Sequence, residues 1–147
     1  MIRPITWKQI QKIWHTELWP DRKSAIEPTS AMKYLEGYEI KNMLYNPTFF
    51  GYYLNTTLIG VNSGHKCEDG SYRSRGLWVD ANHRGYGYGK ELLLATIDQA
   101  TKENCDFIWS YPRKKSWSTY RSVGFKKTSI WAKSETSNFN AFCYLKL

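Results

Sequence analysis

The stretch RGYGYGKELLLATIDQA, residues 84–100, places three glycines at alternate positions between Arg84 and Lys90 and runs straight into a leucine-rich segment. Two readings compete for it. In one, Tyr86 and Tyr88 stand on a strand and stack nucleic-acid bases, as in the RNP1 pattern of an RNA-binding sheet. In the other, the stretch is a loop whose bare backbone wraps an anion. The RNP1 pattern holds for five positions and then breaks, because Gly89 and Glu91 stand where it needs valine and an aromatic. Alternating glycine also makes a poor strand, since one face has nothing to pack. Strand, glycine loop and helix in succession aim backbone N–H groups and a helix dipole at an anion. Glycine there lets the backbone approach closely and adopt positive φ. The spacing fits neither a Walker A loop nor a GxGxxG dinucleotide pattern.

Working outward, SYRSRGLWV (71–79) reads as the strand that feeds this loop. TFFGYYLNTTLIGVNSGHK (48–66) is rich in aromatic and β-branched residues and predicts a hairpin turning at Asn55-Thr56. TWKQIQKIWHTELW (6–19) carries Trp7, Ile10, Ile13, Trp14 and Leu18 at helical spacing behind a Thr6 cap. PTSAMKYLEGYEIKNMLY (28–45) repeats that spacing and predicts a second helix, weakened by Gly37. Downstream, Leu93, Ile97 and Ala100 share one helix face, and CDFIWSYP (105–112) is a strand ended by Pro112. SWSTYRSV (116–123) is a short helix that Ser116 caps at its start and Gly124 closes. FKKTSIWAK (125–133) and FNAFCYLKL (139–147) form a closing strand pair. The central strand–helix–strand crossover implies a parallel pair within a mixed sheet, an α/β (α+β) architecture. Ligands in such sheets sit beyond the carboxyl ends of the parallel strands.

A chain of 147 residues, 41% hydrophobic and 23% charged, suits one domain, residues 1–147, around one core. No apolar run approaches the roughly 20 residues of a membrane span, and MIRPITWKQIQKIW has no apolar leader core. A soluble, cytoplasmic protein is expected. The net charge of +8 suits an anionic partner, nucleic acid or phosphorylated ligand. Cys67, Cys105 and Cys143 are odd in number and far apart, which argues against a disulfide framework and a zinc site. They read as small buried side chains.

The loop, in this setting, resembles the central motif of the GNAT superfamily of acetyl-CoA-dependent N-acetyltransferases. That motif is Gln/Arg-x-x-Gly-x-Gly/Ala opening the helix after the fourth strand, here Arg84 to Gly89. YRSVGF resembles the family's Tyr-x-x-x-Gly-Phe, with Tyr120, Gly124 and Phe125. The element order is similar along nearly the whole chain. The resemblance implies the GNAT fold, a mixed, largely antiparallel sheet with a parallel pair around the cofactor site and helices flanking it. It implies acetyl-CoA as acyl donor, no metal, and direct attack by a primary amine in a ternary complex. The amides of Gly85, Tyr86, Gly87, Tyr88, Gly89 and Lys90 would hold the pyrophosphate beside Arg84. The pantetheine arm would pair with backbone at Leu77, Trp78 and Val79, and an amide of that strand would polarise the thioester carbonyl. Tyr120 would protonate the departing thiolate, since a phenol with pKa about 10 is protonated at neutral pH.

Two departures bear on function. Arg113 falls where many relatives carry an asparagine that touches the pantetheine. Arg73 falls where lysine-acetylating relatives carry a glutamate, and Arg75 shares its strand face. The general base is thus not identified. His65, read as a loop histidine, and Glu68, Asp69 and Asp80 have no spacing that singles one out, and a water can serve equally. If Arg73 and Arg75 face the acceptor, an acidic amine fits best; otherwise both are solvated strand residues. Two other functions stay in view. A nucleic-acid-binding module predicts salt-sensitive binding to RNA or DNA, against which the broken RNP1 pattern argues. A GNAT-fold protein that binds CoA without catalysis fits the missing glutamate and asparagine, while Tyr120 argues against it. A homodimer could form if the last strand is an exposed edge.

Overall fold

The computed structural model describes residues 1–133 and 138–147. Its main sheet has seven strands: β1 (Ile2–Pro4), β4 (Thr48–Leu54), β5 (Thr57–Lys66), β6 (Tyr72–Val79), β7 (Phe107–Ser110), β8 (Lys126–Lys127) and β11 (Cys143–Lys146). They lie in the order β1-β4-β5-β6-β7-β11-β8. Every neighbouring pair is antiparallel except β6 and β7, which are parallel. Two small antiparallel pairs stand apart, β2 (Met32–Lys33) with β3 (Glu36–Tyr38), and β9 (Ala132–Lys133) with β10 (Phe139–Asn140). The helices are α1 (Trp7–Ile13), α2 (Tyr88–Lys102) and α3 (Trp117–Ser122). The expected mixed, largely antiparallel sheet with one parallel pair is the observed one.

Local sequence explains much of this. Thr6 opens α1 with a capping box: its Oγ1 accepts the Gln9 amide at 3.2 Å and its own N–H donates to Gln9 Oε1 at 2.8 Å. The helix then widens into one turn closed by the Trp19 N–H on the Trp14 carbonyl at 2.7 Å, which buries Trp14 and Leu18. The β4–β5 hairpin turns at Asn55-Thr56 as the sequence predicts, with Asn55 at φ +56°. Between β5 and α2, the fully buried Asn62 donates to Ser74 Oγ at 3.0 Å and to Thr96 Oγ1 at 2.8 Å.

The decisive irregularity is in β6. Val61 pairs with Trp78 and Ser63 with Arg75, so Asn62 alone opposes Gly76 and Leu77. This is a bulge with Gly76 at φ +76°. A bulge reverses the in–out alternation of a strand. Tyr72 and Leu77 therefore both join the core under α2 and α3, although they stand five positions apart, an odd spacing. Trp78 turns to the opposite core with Ile10, Trp14 and Val61. Arg73 and Arg75 lie on that second side.

Three expectations fail. Residues 28–45 form no α-helix. They make the β2–β3 pair and a short 3-10 turn, Ile40–Leu44, with Leu35 at φ +64° and Gly37 at φ +36°. The apolar spacing was helical, but Leu35, Ile40 and Leu44 are exposed, so no buried face was there to stabilise a helix. The final strand is no edge, because β11 lies between β7 and β8; the edges are β1, which the sequence reading missed, and β8. Ser116 makes no side-chain cap on α3. All three cysteines are free and buried, as expected.

Candidate active site

Strands β6 and β7 pair only at Tyr72–Ile108 and Arg73–Trp109, then diverge. The wedge between them opens a groove of about 760 Å³. Its floor is the outer half of β6, one wall the glycine loop and start of α2, and the other wall α3 and the turn after β7. In an antiparallel ladder the N–H groups alternate sides. The Asp80 amide reaches the Ile59 carbonyl at 2.8 Å and Trp78 faces Val61, so the amides of Leu77 and Val79 turn to the opened edge.

The loop answers the question its sequence poses. Residues 84–87 are a turn, not a strand. Gly85 lies at φ +84° and Gly87, the N-cap of α2, at φ +85°. A Cβ at either would meet nothing within 4 Å, so conformation and not crowding demands glycine here. The first helical bond is Glu91 N–H to Gly87 O at 3.1 Å, which leaves the amides of Tyr88, Gly89 and Lys90 without helical partners. Such amides, with the α2 dipole behind them, are the groups that can receive an anion.

The groove brings together Leu77, Trp78, Val79, Arg84, Gly85, Gly87, Tyr88, Gly89, Lys90, Tyr120 and Arg73. It leaves out Tyr86, whose side chain is 71% exposed, and Arg75. The Arg84 side chain is partly committed, since its Nε donates to Val79 O at 2.9 Å. Tyr120 is buried, edge-on to Phe125 at 5.5 Å, with the Ser110 side chain as its polar neighbour. Burial pushes its phenol above the usual tyrosine range, so it stays protonated throughout the physiological range. Arg113 ties the wall to the end of the first helix by donating to the Leu18 carbonyl. Across an isolated bridge from Arg113 sits Asn140, which lines the groove. Its Nδ2 donates to Tyr111 O at 2.9 Å, while its buried Oδ1 has no partner.

None of the four base candidates lines the groove. Asp69 holds the β5–β6 turn through Ser71 N at 3.0 Å and Ser71 Oγ at 2.6 Å. Glu68 accepts from the Tyr45 hydroxyl at 3.0 Å. Asp80 caps the turn before the glycine loop, and its contact with His83 at 2.8 Å lowers its pKa. His65 is on β5, not in a loop, and fully buried. Its Nε2 accepts the Ser30 amide at 3.1 Å and its Nδ1 faces the Lys66 carbonyl at 2.9 Å, which fixes a neutral ring. The carboxylate in the groove is instead Glu17, alone of its kind among the described lining residues. No motif marks it, because it reaches the groove only through the packing of the first helix. Nor did any signal mark Asn140.

Burial lowers the His65 pKa to about 3. Its unfolded value is near 6.5, so the unfolded chain binds the extra proton between those limits. Stability therefore falls as pH drops from about 6.5 towards 3, by about 1.4 kcal/mol per pH unit. Urea unfolding at pH 7 and pH 5 should differ by about 2 kcal/mol from this group, and His65→Gln should remove that share of the difference. Equal slopes in the two proteins would contradict the assignment.

A wedge between two parallel strands, a glycine turn at a helix mouth and a buried tyrosine thus line one groove. The model of the acetyltransferase (GNAT) family matches residues 7–125, and the chain belongs to that family. Solved structures agree in fold. An IAA acetyltransferase from Bacillus cereus superposes with a TM-score of 0.73 at 13% identity, covering 100% of this chain and 99% of that one. An acetyltransferase from Bacillus subtilis in complex with CoA gives 0.68 at 16%, covering 99% and 97%. A ribosomal-protein-alanine N-acetyltransferase from Brucella melitensis gives 0.68 at 15%, covering 100% and 99%. Among curated proteins no sequence matches. Among the described residues, no helix is long and apolar enough to cross a membrane.

Proposed function

We propose that this chain, as one GNAT domain over residues 1–147, transfers an acetyl group from acetyl-CoA to a primary amine by direct attack. The observation that carries it is the groove itself, which joins the glycine-loop amides, the opened edge of β6 and Tyr120 in one space. Five lysines and arginines line it against one glutamate, which suits a polyanionic donor. The residues fit that donor: open space at Gly85 and Gly87, unpaired amides beyond them, and an orphan acceptor at Asn140 Oδ1.

Acetyl-CoA supplies an activated acyl thioester. The amides of Gly85 to Lys90 hold its phosphates, with Arg84 and Lys90 adding charge. Backbone of Leu77 to Val79 pairs with its arm, and Asn140 Oδ1 accepts an N–H from the arm or from the amine. The Leu77 or Val79 amide polarises the carbonyl where negative charge develops. The amine must arrive neutral, and Glu17 takes its proton directly or through water. Tyr120 returns a proton to the thiolate. Mixing the protein with acetyl-CoA and a panel of primary amines should release free thiol only in the presence of an amine. Thiol release by no amine at all would leave the CoA-binding, non-catalytic reading in its place.

Gly87→Ala tests the loop. A Cβ at positive φ costs about 1–2 kcal/mol, so the variant should still fold. A small shift of the amides at the helix mouth should weaken acetyl-CoA by roughly tenfold or more. Unchanged affinity, measured by calorimetric titration, would show that the loop does not hold the phosphates.

A further inference from the structure

Arg73 and Arg75 are buried to 7% and 4% exposure. They are therefore not solvated strand residues. Burying a guanidinium without a counter-charge is costly, so each demands an account of what neutralises it.

Arg75 has a structural one. It stacks over Trp14 and Trp19, with Cζ 4.7 Å and 5.3 Å from their ring centroids, and donates to the Glu27 carbonyl at 2.8 Å. It lies outside the groove. Arg73 has none. Its Cζ is 4.4 Å from the Trp109 ring centroid, its Nε is 3.3 Å from Ser74 O and its Nη1 is 3.5 Å from Ser30 Oγ. Among the described residues no carboxylate pairs with it. Of its titratable neighbours, Cys67, Tyr120 and Cys143 are all raised by burial, the thiols to about 11 and about 12, and so are neutral. Arg75 adds positive charge nearby. The donor's phosphates cannot serve either. Val79, at the near end of the glycine loop, lies six positions along the strand from Arg73, roughly 20 Å at about 3.3 Å each, too far for an ion pair.

Arg73 does face open space, because it lines the groove at the point where β6 and β7 part. It stacks on Trp109, on the sheet side away from α2, and on the proposed reading the acceptor enters there. We propose that Arg73 recognises a carboxylate on the acceptor, and that the acceptor is a small amine carrying that carboxylate. The proposal rests on the acetyltransferase reading for the word acceptor, but the anion site stands on its own geometry. A planar guanidinium can meet a carboxylate in two hydrogen bonds, and Arg73 Nη2 has no hydrogen-bond partner among the described residues.

The test compares acids with their amides on the CoA-loaded protein. The twenty amino acids and β-alanine are set beside the corresponding carboxamides, with aminomethylphosphonate as a third arm. Binding is read by calorimetry and acetylation by product analysis. For the best-bound acid, the amide should bind roughly thirtyfold or more weakly, since it leaves a buried charge unpaired. Arg73→Gln should erase that difference while acetyl-CoA still raises the melting temperature. Should that variant not fold, the acid-to-amide comparison on the unaltered protein decides alone. Amides binding as well as acids would overturn the proposal, and preference for the phosphonate would overturn its carboxylate form. Amides acetylated as well as acids would do so while leaving the acetyltransferase reading intact. Retained acid preference without any acetyl transfer would sink that reading and support the anion site.

Discussion

Replacing Gly76 by alanine is expected to destabilise the fold by about 3 kcal/mol. Two effects add. The residue sits at φ +76°, where a Cβ costs roughly 1–2 kcal/mol. That Cβ would also lie 2.3 Å from the Trp14 indole, a rigid ring at 0% exposure. Relieving such an overlap in a packed core costs about 1–3 kcal/mol more. The Trp14 Nε1–H also donates to the Gly76 carbonyl at 2.8 Å, so the ring cannot withdraw without losing a hydrogen bond. The bulge turns the Leu77 and Val79 amides to the groove, so a folded fraction should also lose activity. Urea unfolding checks the first point. A loss below about 1 kcal/mol would mean that the bulge and the indole accommodate each other more freely than their geometry indicates.

Tyr120→Phe is expected to lower kcat by about 100-fold or more, the usual contribution of a positioned proton donor. Its cost in stability should be only about 1 kcal/mol, one buried hydroxyl. KM for acetyl-CoA should change little, because the proposal places the phenol at the leaving sulfur and not at the phosphates. Because burial raises its pKa, Tyr120 remains a competent acid well into alkaline solution. The unaltered enzyme should therefore show no activity loss from deprotonation of this group below about pH 10. A Phe variant with undiminished kcat would make Tyr120 a packing residue of the core it shares with Phe125.

The legible parts of this protein are those written in short-range chemistry. Thr6, Asn55-Thr56, and Gly124 at φ +104° are local devices, and each element they mark is where the sequence put it. The glycine loop belongs with them, since Gly85 and Gly87 state a backbone need by themselves. The 28–45 segment was misread because helical spacing of apolar residues has force only if they are buried, and burial is a tertiary fact. The π-turn and the β6 bulge were invisible for a related reason: both are settled by Trp14 filling the space that Gly76 leaves. Glu17, Asn140 and the contrast between Arg73 and Arg75 come from elements far apart in the chain. Spacing within one segment carries no trace of them. Even the strand alternation that paired the two arginines held for their side of the sheet and not for their access to the groove.

The central claim is that the groove beside residues 84–90 holds acetyl-CoA, and a melting curve reads it most directly. A ligand that binds only the folded state, at a hundred times its Kd, adds about 2.7 kcal/mol, or about 5 °C or more for a chain of this size. The account predicts that rise with acetyl-CoA and with CoA, and none with a short single-stranded RNA. A rise with RNA and none with either form of CoA would contradict it, and would mean that Tyr86 and Tyr88 matter more than the glycines between them.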